Sequence, residues 1–525
     1  MKQRDILQNA RLRKEIKMQT NVMEYLLKSV EKYPDKVAFR DEKTEITFSQ
    51  LDNLARKIAI MLKEKTGDIK NSPIAVYMEK GVNCIVAFMG IVYSGNFYSP
   101  IDVHSPKERV KLVLEALRPV AVLVDEASDK SMQEELQIPT DRTYSLKMAE
   151  VYDVGNYNKD EVKDAVLDIN PLYVLFTSGS TGVPKGVVIN HRAVIDYTEW
   201  LTDTFGFDTN TVFGNQAPLY FDNSILDIYQ TLRNAATMVM IPEKYFLFQT
   251  KLIQFMNENE INTIFWVPSA LIAVANSGIL GKERLCNLEK VLFCGEVMPV
   301  KPFNEWKRNY PDVLYANLYG PTEITDVCSY YIVDREFEET EVLPIGKACR
   351  NTEILVLNEE NHPVQVGETG ELCVRGICLS LGYYGRFEKT EEVFVQNPLN
   401  NRYRDLIYRT GDIVKYNERG ELLYLCRKDS QIKYQGHRIE LGEIDSAGYS
   451  VEGVRQACAV FDGNKIIFYC SLTGNLSEKQ IYSELKNKLP KYMLPKVIRI
   501  MDDIPLNVNG KIDRVYLKSI TEEMG

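Results

Sequence analysis

A loop rich in serine, threonine and glycine carries the residues best suited to chemistry. It lies within YVLFTSGSTGVPKGVVINH, residues 173–191, between two apolar runs that are typical of strands. Its glycines, hydroxyl donors and lysine are Thr177, Ser178, Gly179, Ser180, Thr181, Gly182, Lys185 and Gly186. Glycines let a backbone approach an anion closely, while hydroxyls and a lysine bind its oxygens. The loop therefore predicts a phosphate site.

Two other interpretations of this loop fit less well. The usual P-loop pattern GxxxxGK[ST] is absent, and the lysine here follows a proline. A solvated glycine–serine linker would not lie between YVLF and VVI. The full string TSGSTGVPKG resembles the ATP-phosphate loop of the adenylate-forming enzymes. That superfamily includes acyl-CoA synthetases, luciferases and the amino-acid-activating domains of nonribosomal peptide synthetases.

The resemblance extends over nearly the whole chain, with the motifs in the family's order. They are ITFSQLDNLARKIA at 46–59, YSGNFYSPIDVHSPKER at 93–109, FDNS at 221–224, LYGPTE at 318–323, YRTGD at 408–412, RKDSQIKYQGHRIELGEID at 427–445 and NGKIDR at 509–514. The family fold is α/β, with a large N-terminal domain of two flavodoxin-like sheets and a small β-barrel, followed by a small mobile α+β C-terminal lid. We accordingly expect an N-terminal extension at 1–20, an adenylation core at 21–428 and a lid at 429–525.

Hydrophobic patterns predict the elements that must position these motifs. Apolar residues recur at helical spacing over 22–32 and 48–65, which predicts amphipathic helices. Short apolar or β-branched runs alternate with helical segments and predict parallel sheets covered on both faces. These runs are 74–79, 120–125, 237–242 and 263–268. Strand patterns separated by turns at 353–358, 370–376 and 420–426 predict a small antiparallel unit, and 431–525 returns to mixed α/β.

Composition narrows the class of protein and its compartment. The chain has 525 residues, a formal net charge of −10 and ten cysteines, so we expect more than one domain. The charge argues against nucleic acid or an anionic membrane as the main partner. The cysteines form no CxxC pair, and the four histidines have no zinc-site spacing. With no signal peptide or membrane-length apolar run, we expect a cytoplasmic protein with reduced thiols.

The resemblance also implies roles in ATP binding. Adenylation joins a carboxylate to the α-phosphate of ATP and expels pyrophosphate, so the site must hold two anions together. Tyr319 would stack on adenine, Thr322 would bond a phosphate, and Glu323 would hold Mg²⁺. Asp412 would bind the ribose, and Arg427 the ribose or a phosphate. The full set of implied ATP-binding residues is Thr177, Ser178, Gly179, Ser180, Thr181, Gly182, Lys185, Asn317, Leu318, Tyr319, Gly320, Thr322, Asp412, Arg427 and Lys511.

Two further positions concern catalysis and movement. Lys511 lies on a turn, where lysines are usually solvated, yet the family context implies a catalytic lysine that touches the substrate carboxylate and the α-phosphate. Thr322 and Glu323 are implied to act with it. Asp429 stands where such enzymes hinge between domains. The family usually has glycine where this chain has Cys426.

The motif FDNS bears on what is activated. In relatives that activate amino acids, an aspartate at the place of Asp222 pairs with the α-ammonium, and an unpaired buried aspartate would be costly. The alternative is a turn aspartate that caps the following helix. The implied substrate-pocket residues are Asp222, Asn223, Leu226, Phe265, Leu292, Cys294, Leu318, Asp326 and Val327. Three of these, Leu226, Phe265 and Leu318, fill volume and favour a small side chain.

Two stretches, NQAPLYFDNSILDIYQTL and VLFCGEVMP, resemble the D-alanine:carrier-protein ligases, in which a cysteine at the place of Cys294 favours the D enantiomer. Those ligases have an apolar residue where this chain has Asp326, which would suit a second cationic group or a polar side chain on the substrate. D-alanine or another small amino acid is the leading expectation, and a diamino or polar amino acid is the alternative.

The partner is expected to be a separate carrier protein bearing phosphopantetheine, because no carrier domain follows the lid. A basic patch could offset the repulsion between two acidic proteins. The candidate residues are Lys428, Lys433, His437 and Arg438. Two rival functions are an acyl-CoA synthetase for an acid without an amine, against which Asp222 argues, and a non-catalytic scaffold. Retention of Lys185, Glu323 and Lys511 argues against the scaffold.

Overall fold

The computed structural model describes residues 19–126, 128, 142–157, 166–179, 183–428, 431–506 and 512–523. Most of the predicted N-terminal extension therefore lies outside the described residues. The same holds for Ser180, Thr181, Gly182, Asp429 and Lys511.

The first sheet ends in the phosphate-loop motif. Its described strands, in spatial order, are Thr143–Ser145, Ala121–Val124, Pro73–Tyr77, Phe97–Ile101, Pro171–Thr177 and Lys185–Asn190. All neighbours are parallel except the last two, which form an antiparallel pair around the loop. Most of these strand residues are buried on both faces, as expected for a parallel sheet covered by helices.

A second, larger sheet carries most of the other site motifs. Its described strands, in spatial order, are Lys347–Ala348, Ser329–Ile332, Leu314–Tyr319, Lys290–Phe293, Thr263–Trp266, Val212–Asn215, Thr237–Met240, Val37–Arg40 and Glu45–Thr47. The six strands from Leu314–Tyr319 to Val37–Arg40 run parallel, and the pairs at both edges are antiparallel. Ligands of open parallel sheets bind beyond the carboxyl ends of the strands. LYGPTE follows directly at such an end.

Helices cover these sheets and join their strands. The described α-helices are Met23–Lys32, Phe48–Thr66, Val82–Tyr93, Lys107–Leu117, His191–Phe205, Asn223–Asn234, Gln249–Glu258, Pro268–Asn276, Val300–Asn309, Phe387–Val393, Leu441–Tyr449, Glu478–Lys488 and Arg514–Glu523. Phe48–Thr66 begins with a capping box, in which the side chain of Thr47 accepts from the backbone of Gln50 and the Gln50 side chain accepts in return. Among the described residues, no helix is both long and apolar enough to span a bilayer.

The antiparallel unit predicted from the later strand patterns is present. Its strands are Thr352–Leu357, Thr369–Gly376, Phe394–Gln396, Leu406–Tyr416 and Leu422–Arg427. Asp412 and Arg427 are direct partners in its register. The unit therefore brings the two residues implied in ribose binding side by side.

The C-terminal region packs around its own apolar cores. Its strands Val454–Phe461, Ile466–Leu472 and Val497–Ile500 form one sheet, with a separate two-stranded hairpin, Gln431–Tyr434 and His437–Glu440, before it. The buried residues of its two hydrophobic clusters all lie between Ile439 and Leu517. We call Gln431–Glu440 the C-terminal hairpin. It extends from this region to the larger sheets.

Candidate active site

The described flanks of the phosphate loop lie close together. Thr177 and Lys185 are partners in the antiparallel register, and the Thr177 hydroxyl donates to the Lys185 carbonyl at 3.5 Å. A Cβ on Gly179 would lie 2.2 Å from the carbonyl oxygen of Val183, so only glycine fits there. The loop is therefore tightly turned on the side that the structure describes.

The C-terminal hairpin lies directly against this loop. The Ser178 hydroxyl donates to the Arg438 carbonyl at 2.8 Å and accepts from the Glu440 backbone N–H at 3.2 Å. The Gly179 N–H donates to the carboxylate of Glu443 at 3.3 Å, just beyond the hairpin. Residues expected to bind phosphate thus bond to the C-terminal region in this arrangement.

Glu323 lies at the centre of the charged groups beside the loop. Its side chain is fully buried, and it accepts hydrogen bonds from the Tyr383 hydroxyl at 2.7 Å and from Arg438 of the hairpin at 2.5 Å. Burial raises the pKa of Glu323, but the charges of Arg438 and Lys185 outweigh it and lower the pKa to about 2. Glu323 is thus an ionised carboxylate at neutral pH.

Lys185 shares this environment. Its ammonium lies 3.7 Å from the carboxylate of Glu440 and 5.2 Å from the ring centre of Tyr383. Burial and the neighbouring Arg438 lower the pKa of Lys185, while Glu323 opposes the shift. Two cations and two carboxylates therefore balance where the triphosphate of ATP is expected.

The residues implied in nucleoside binding form a second group. Asp412 is buried and accepts hydrogen bonds from the Tyr319 hydroxyl and, at 3.0 Å, from Arg427. Arg427 also donates to the Thr410 carbonyl at 2.9 Å. A cavity of about 480 Å³ opens beside them and is lined in part by Asn317, Leu318, Tyr319, Arg427 and Lys433.

One hydrogen bond and one close backbone approach explain the shape of LYGPTE. The side chain of Asn317 donates to the Pro344 carbonyl at 2.8 Å and so holds a neighbouring loop. A Cβ on Gly320 would lie 2.3 Å from the backbone oxygen of Asp326, so this turn also requires glycine. The hairpin's Lys433 lies 5.4 Å from the ring centre of Tyr319, the ring that is implied to stack on adenine.

Asp222 joins the nucleotide group to the implied substrate pocket. It is the N-cap of Asn223–Asn234, with its carboxylate accepting from the Asn223 N–H at 3.0 Å. The same carboxylate accepts from the Thr322 hydroxyl at 2.5 Å. Burial and the charge of Glu323 raise the pKa of Asp222, whereas Thr322 and Lys433 oppose the shift. The side chain of Asp222 therefore caps the helix, as the alternative interpretation predicted. Capping does not exclude binding of a substrate amine by the same carboxylate.

The apolar residues of the implied substrate pocket share one apolar environment. They are buried members of one hydrophobic cluster: Leu226, Phe265, Leu292, Cys294, Leu318 and Val327. Phe265 and Leu292 are direct partners on neighbouring strands. Asn223, on the same helix as Leu226, lines a second cavity of about 610 Å³ together with His437.

Asp326 is the polar exception in this pocket. It is almost fully buried and accepts a hydrogen bond from the Tyr197 hydroxyl at 2.5 Å. Burial and the charge of Asp222 raise the pKa of Asp326 well above its ordinary value. Motif spacing placed Asp326 here, but Tyr197 lies outside every motif and no sequence pattern pointed to it.

Family comparisons agree with this geometry. The model of the AMP-binding enzyme family matches residues 26–384, and the model of the AMP-binding enzyme C-terminal domain matches 443–511. The chain belongs to the AMP-binding enzyme family. The predicted resemblance to adenylate-forming enzymes is thereby confirmed, and the chain is an adenylating ligase.

Several curated relatives of this AMP-binding enzyme match along most of its length. A D-alanine–D-alanyl carrier protein ligase of Bacillus licheniformis is 30% identical over 515 residues, 94% of this chain and 99% of the relative. An L-proline–[L-prolyl-carrier protein] ligase of Pseudomonas fluorescens is 30% identical over 507 residues, 94% of this chain and 98% of the relative. Tyrocidine synthase 1 of Brevibacillus parabrevis is 30% identical over 93% of this chain, which spans 44% of that synthase. In three further synthases the chain spans 7%, 9% and 19% of the length of the synthase.

A solved structure supports the fold. The adenylation domain AlmE of Vibrio cholerae, solved with glycyl-adenosine-5'-phosphate, superposes with a TM-score of 0.83 at 20% identity, over 96% of this chain and 98% of AlmE. The predicted fold class is confirmed.

The predicted basic patch is wrong at two of its four residues, Arg438 and His437, whereas Lys428 is exposed. Arg438 points inward to Glu323, where the buried carboxylate compensates its charge. His437 stacks on Tyr492 with ring centres 3.7 Å apart, and burial lowers the pKa of His437 to about 4. A neutral imidazole and a paired guanidinium cannot form an exposed basic surface.

Proposed function

We propose that this enzyme activates an amino acid with ATP as an aminoacyl-adenylate and transfers it to the phosphopantetheine thiol of a separate carrier protein. One observation carries the proposal: Asp222, the implied amine anchor, is hydrogen-bonded to Thr322, one residue before Glu323. An ammonium bound by Asp222 would keep the substrate carboxylate next to the phosphate-binding groups. Relatives named as amino acid–carrier protein ligases support the same reaction.

The chain's residues divide the work of adenylation. Lys185 and the loop would hold the phosphates, and Asp412 with Arg427 would hold the ribose. Lys511 would neutralise the substrate carboxylate and the α-phosphate as they approach. Because both reactants are anions, positioning and charge neutralisation supply most of the catalysis.

Glu323 fits the expected Mg²⁺ site. Mg²⁺ in such enzymes takes one or two carboxylates together with substrate phosphates, and Glu323 offers one buried, ionised carboxylate beside Lys185. When bound, Mg²⁺ would screen the charge of the phosphates. Arg438 now pairs with this carboxylate, so the hairpin would have to withdraw first.

A small substrate fits the pocket best. Leu226, Phe265 and Leu318 are buried and fill the volume beside Asp222. The relatives named as D-alanine ligases align with nearly the whole chain and are 30% to 31% identical to it. Together with Cys294, these observations favour an alanine-sized substrate, with D-alanine as the first candidate among amino acids that carry a single amine.

Movement of the C-terminal domain would separate the two half-reactions. We propose a core at 21–428 and a lid at 429–525 that rotates about Asp429, with Lys511 entering for adenylation and the hairpin for thiol transfer. The hairpin's bonds to Ser178 and Glu323 support an arrangement in which it occupies the cleft. The lid's own apolar clusters support its movement as a unit.

The proposal is tested by ATP–pyrophosphate exchange over a panel of both alanine enantiomers, glycine, proline and larger amino acids, with propionate as the acid lacking an amine. Exchange with an amino acid and not with propionate is expected. Exchange with propionate alone would favour the acyl-CoA synthetase, and none at all would favour the scaffold. Loading of a phosphopantetheinylated carrier, followed by mass spectrometry, tests the second half-reaction. A cytoplasmic location stays a prediction.

A further inference from the structure

Asp326 is held in the pocket by an unusual backbone conformation. Thr325 and Asp326 have φ values of 62° and 70°, in the left-handed region that residues other than glycine seldom adopt. The Asp326 side chain is 1% exposed. Aspartate is among the residues that tolerate this region best, yet the buried position costs a carboxylate its hydration. An apolar residue would avoid this cost, so we expect the carboxyl group of Asp326 to have a role.

The described residues do not neutralise this carboxylate. Its hydrogen-bond donor is a neutral phenol, Tyr197, and no described cation forms a salt bridge with it. Burial and the charges of Asp222 and Asp227 raise the pKa of Asp326, whereas the Tyr197 hydrogen bond and the charge of the hairpin's Lys433 lower it. The implied pocket therefore contains two carboxyl groups, Asp222 and Asp326, whose described hydrogen-bond donors, Thr322, the Asn223 backbone and Tyr197, are all neutral.

Tyr173 provides an independent indication of a missing partner. Its ring is fully buried on the strand that leads to the phosphate loop, and its hydroxyl has no hydrogen-bond partner among the described residues. Burial raises the pKa of Tyr173, and the neighbouring Tyr98 and the charges of Asp222 and Asp326 raise it further. A buried hydroxyl without a partner costs free energy, so a ligand group that bonds it would recover that cost.

We propose that the substrate carries a second ammonium group on a short side chain, and that Asp326 binds this group while Asp222 binds the α-ammonium. The inference rests on the proposed function. The Tyr197 hydroxyl would orient the Asp326 carboxylate, and the Tyr173 hydroxyl would accept from a substrate ammonium. Because Leu226 and Phe265 fill the pocket, the chain between the two amines must be short, as in 2,3-diaminopropionate or 2,4-diaminobutyrate. The first of these is alanine with an amino group on Cβ, so the inference keeps the alanine-sized pocket.

The test compares matched substrates on the full-length enzyme. ATP–pyrophosphate exchange is measured with both enantiomers of 2,3-diaminopropionate, 2,4-diaminobutyrate, alanine, 2-aminobutyrate and serine. We expect kcat/KM for a diamino acid to exceed that for the matched monoamino acid by about 100-fold, as for a charge bound in a desolvated pocket. Asp326→Asn keeps the size of the side chain and an acceptor for Tyr197, and should lower that ratio by about the same factor.

A second buried carboxylate serves as the control. Asp227 lies on the helix that Asp222 caps, but its carboxylate accepts from the Asn215 side chain at 2.8 Å. Asp227→Asn should leave the order of substrates unchanged, and thermal melting checks that both variants fold.

The outcomes separate this inference from the proposed function. If a monoamino acid or serine is the best substrate of the wild-type enzyme, the second-ammonium inference is overturned while amino-acid activation stands. If Asp326→Asn leaves the ratio unchanged, Asp326 does not bind the side chain and the inference also fails. If no amino acid supports exchange but propionate does, the proposed function itself fails.

Discussion

Arg438 of the C-terminal hairpin donates a hydrogen bond at 2.5 Å to Glu323, the carboxylate implied to hold Mg²⁺. The two residues belong to different proposed domains, and both are shielded from solvent. Glu323 cannot serve a metal ion and pair fully with Arg438 at once. On the proposed Mg²⁺ role of Glu323, the pair stabilises an arrangement that would break before adenylation and form again after it.

The first prediction concerns this pair. Arg438→Met should slow carrier loading by about tenfold or more and leave ATP–pyrophosphate exchange nearly unchanged. The reason is that loss of one partner of a buried ion pair leaves the other charge uncompensated, which disfavours the docked hairpin. Both half-reactions are measured on the same preparation.

Arg499→Ala is the matched control, because Arg499 is exposed on the strand Val497–Ile500 of the same domain. It should change neither half-reaction. Should Arg438→Met reduce exchange as much as loading, the pair would belong to the adenylating arrangement instead.

The second prediction separates two roles of Asp222. Asp222→Ala should reduce amino-acid-dependent exchange by about 100-fold or more, since a charge-assisted pair is lost in a desolvated pocket. Asp222→Ser retains a side chain that can cap the helix but has no charge, so it should fail to the same extent. Exchange near the wild-type rate with serine at 222 would mean that the residue only caps the helix.

Local patterns predicted most of the fold. The helix expected at 48–65 is Phe48–Thr66, and the strand expected within 263–268 is Thr263–Trp266. Such elements follow from apolar spacing and turn residues that are neighbours in the chain. The order of strands within each sheet was not predicted, because periodicity alone does not determine which strands pair.

The contacts of the site were less predictable. Tyr197 and Asp326 are 129 residues apart, and Glu323 and Arg438 are 115 apart. Motif spacing marked Asp326 and Glu323, but a tyrosine on an amphipathic helix looks like any other core residue in sequence. The same limitation led to the wrong prediction of a basic surface at Arg438. Only the packing of the hairpin on the core shows that this side chain turns inward.

The third prediction concerns pH and the docked hairpin. His437 is stacked on Tyr492 and lies edge-on to Phe221, and burial lowers its pKa to about 4. In the unfolded chain or an undocked hairpin its pKa is about 6.5, so these states bind the proton first. Stability of the docked state is therefore full above about pH 6.5 and falls as the pH drops towards 4.

Thermal melting from pH 7.5 to pH 4.5 measures this effect. His437→Gln, which cannot titrate, should remove the His437 part of the decline, at most about 3 kcal/mol. The difference between the wild-type and variant curves isolates that part from other groups, such as the buried His191. Parallel curves over the whole range would show that His437 is not held neutral by docking.

The last prediction uses two variants to separate the half-reactions. Lys511 is expected to neutralise the substrate carboxylate and the α-phosphate during adenylation, and it has no such task once the adenylate exists. Lys511→Ala should therefore abolish exchange but still load a carrier from chemically supplied aminoacyl-adenylate. Asp429→Pro fixes φ at the proposed hinge. If it holds the lid in the adenylating arrangement, exchange should persist while loading slows, because the hairpin could no longer reach Ser178 and Glu323. Circular dichroism checks that both variants fold, and equal loss of both half-reactions in both variants would contradict the rotating lid.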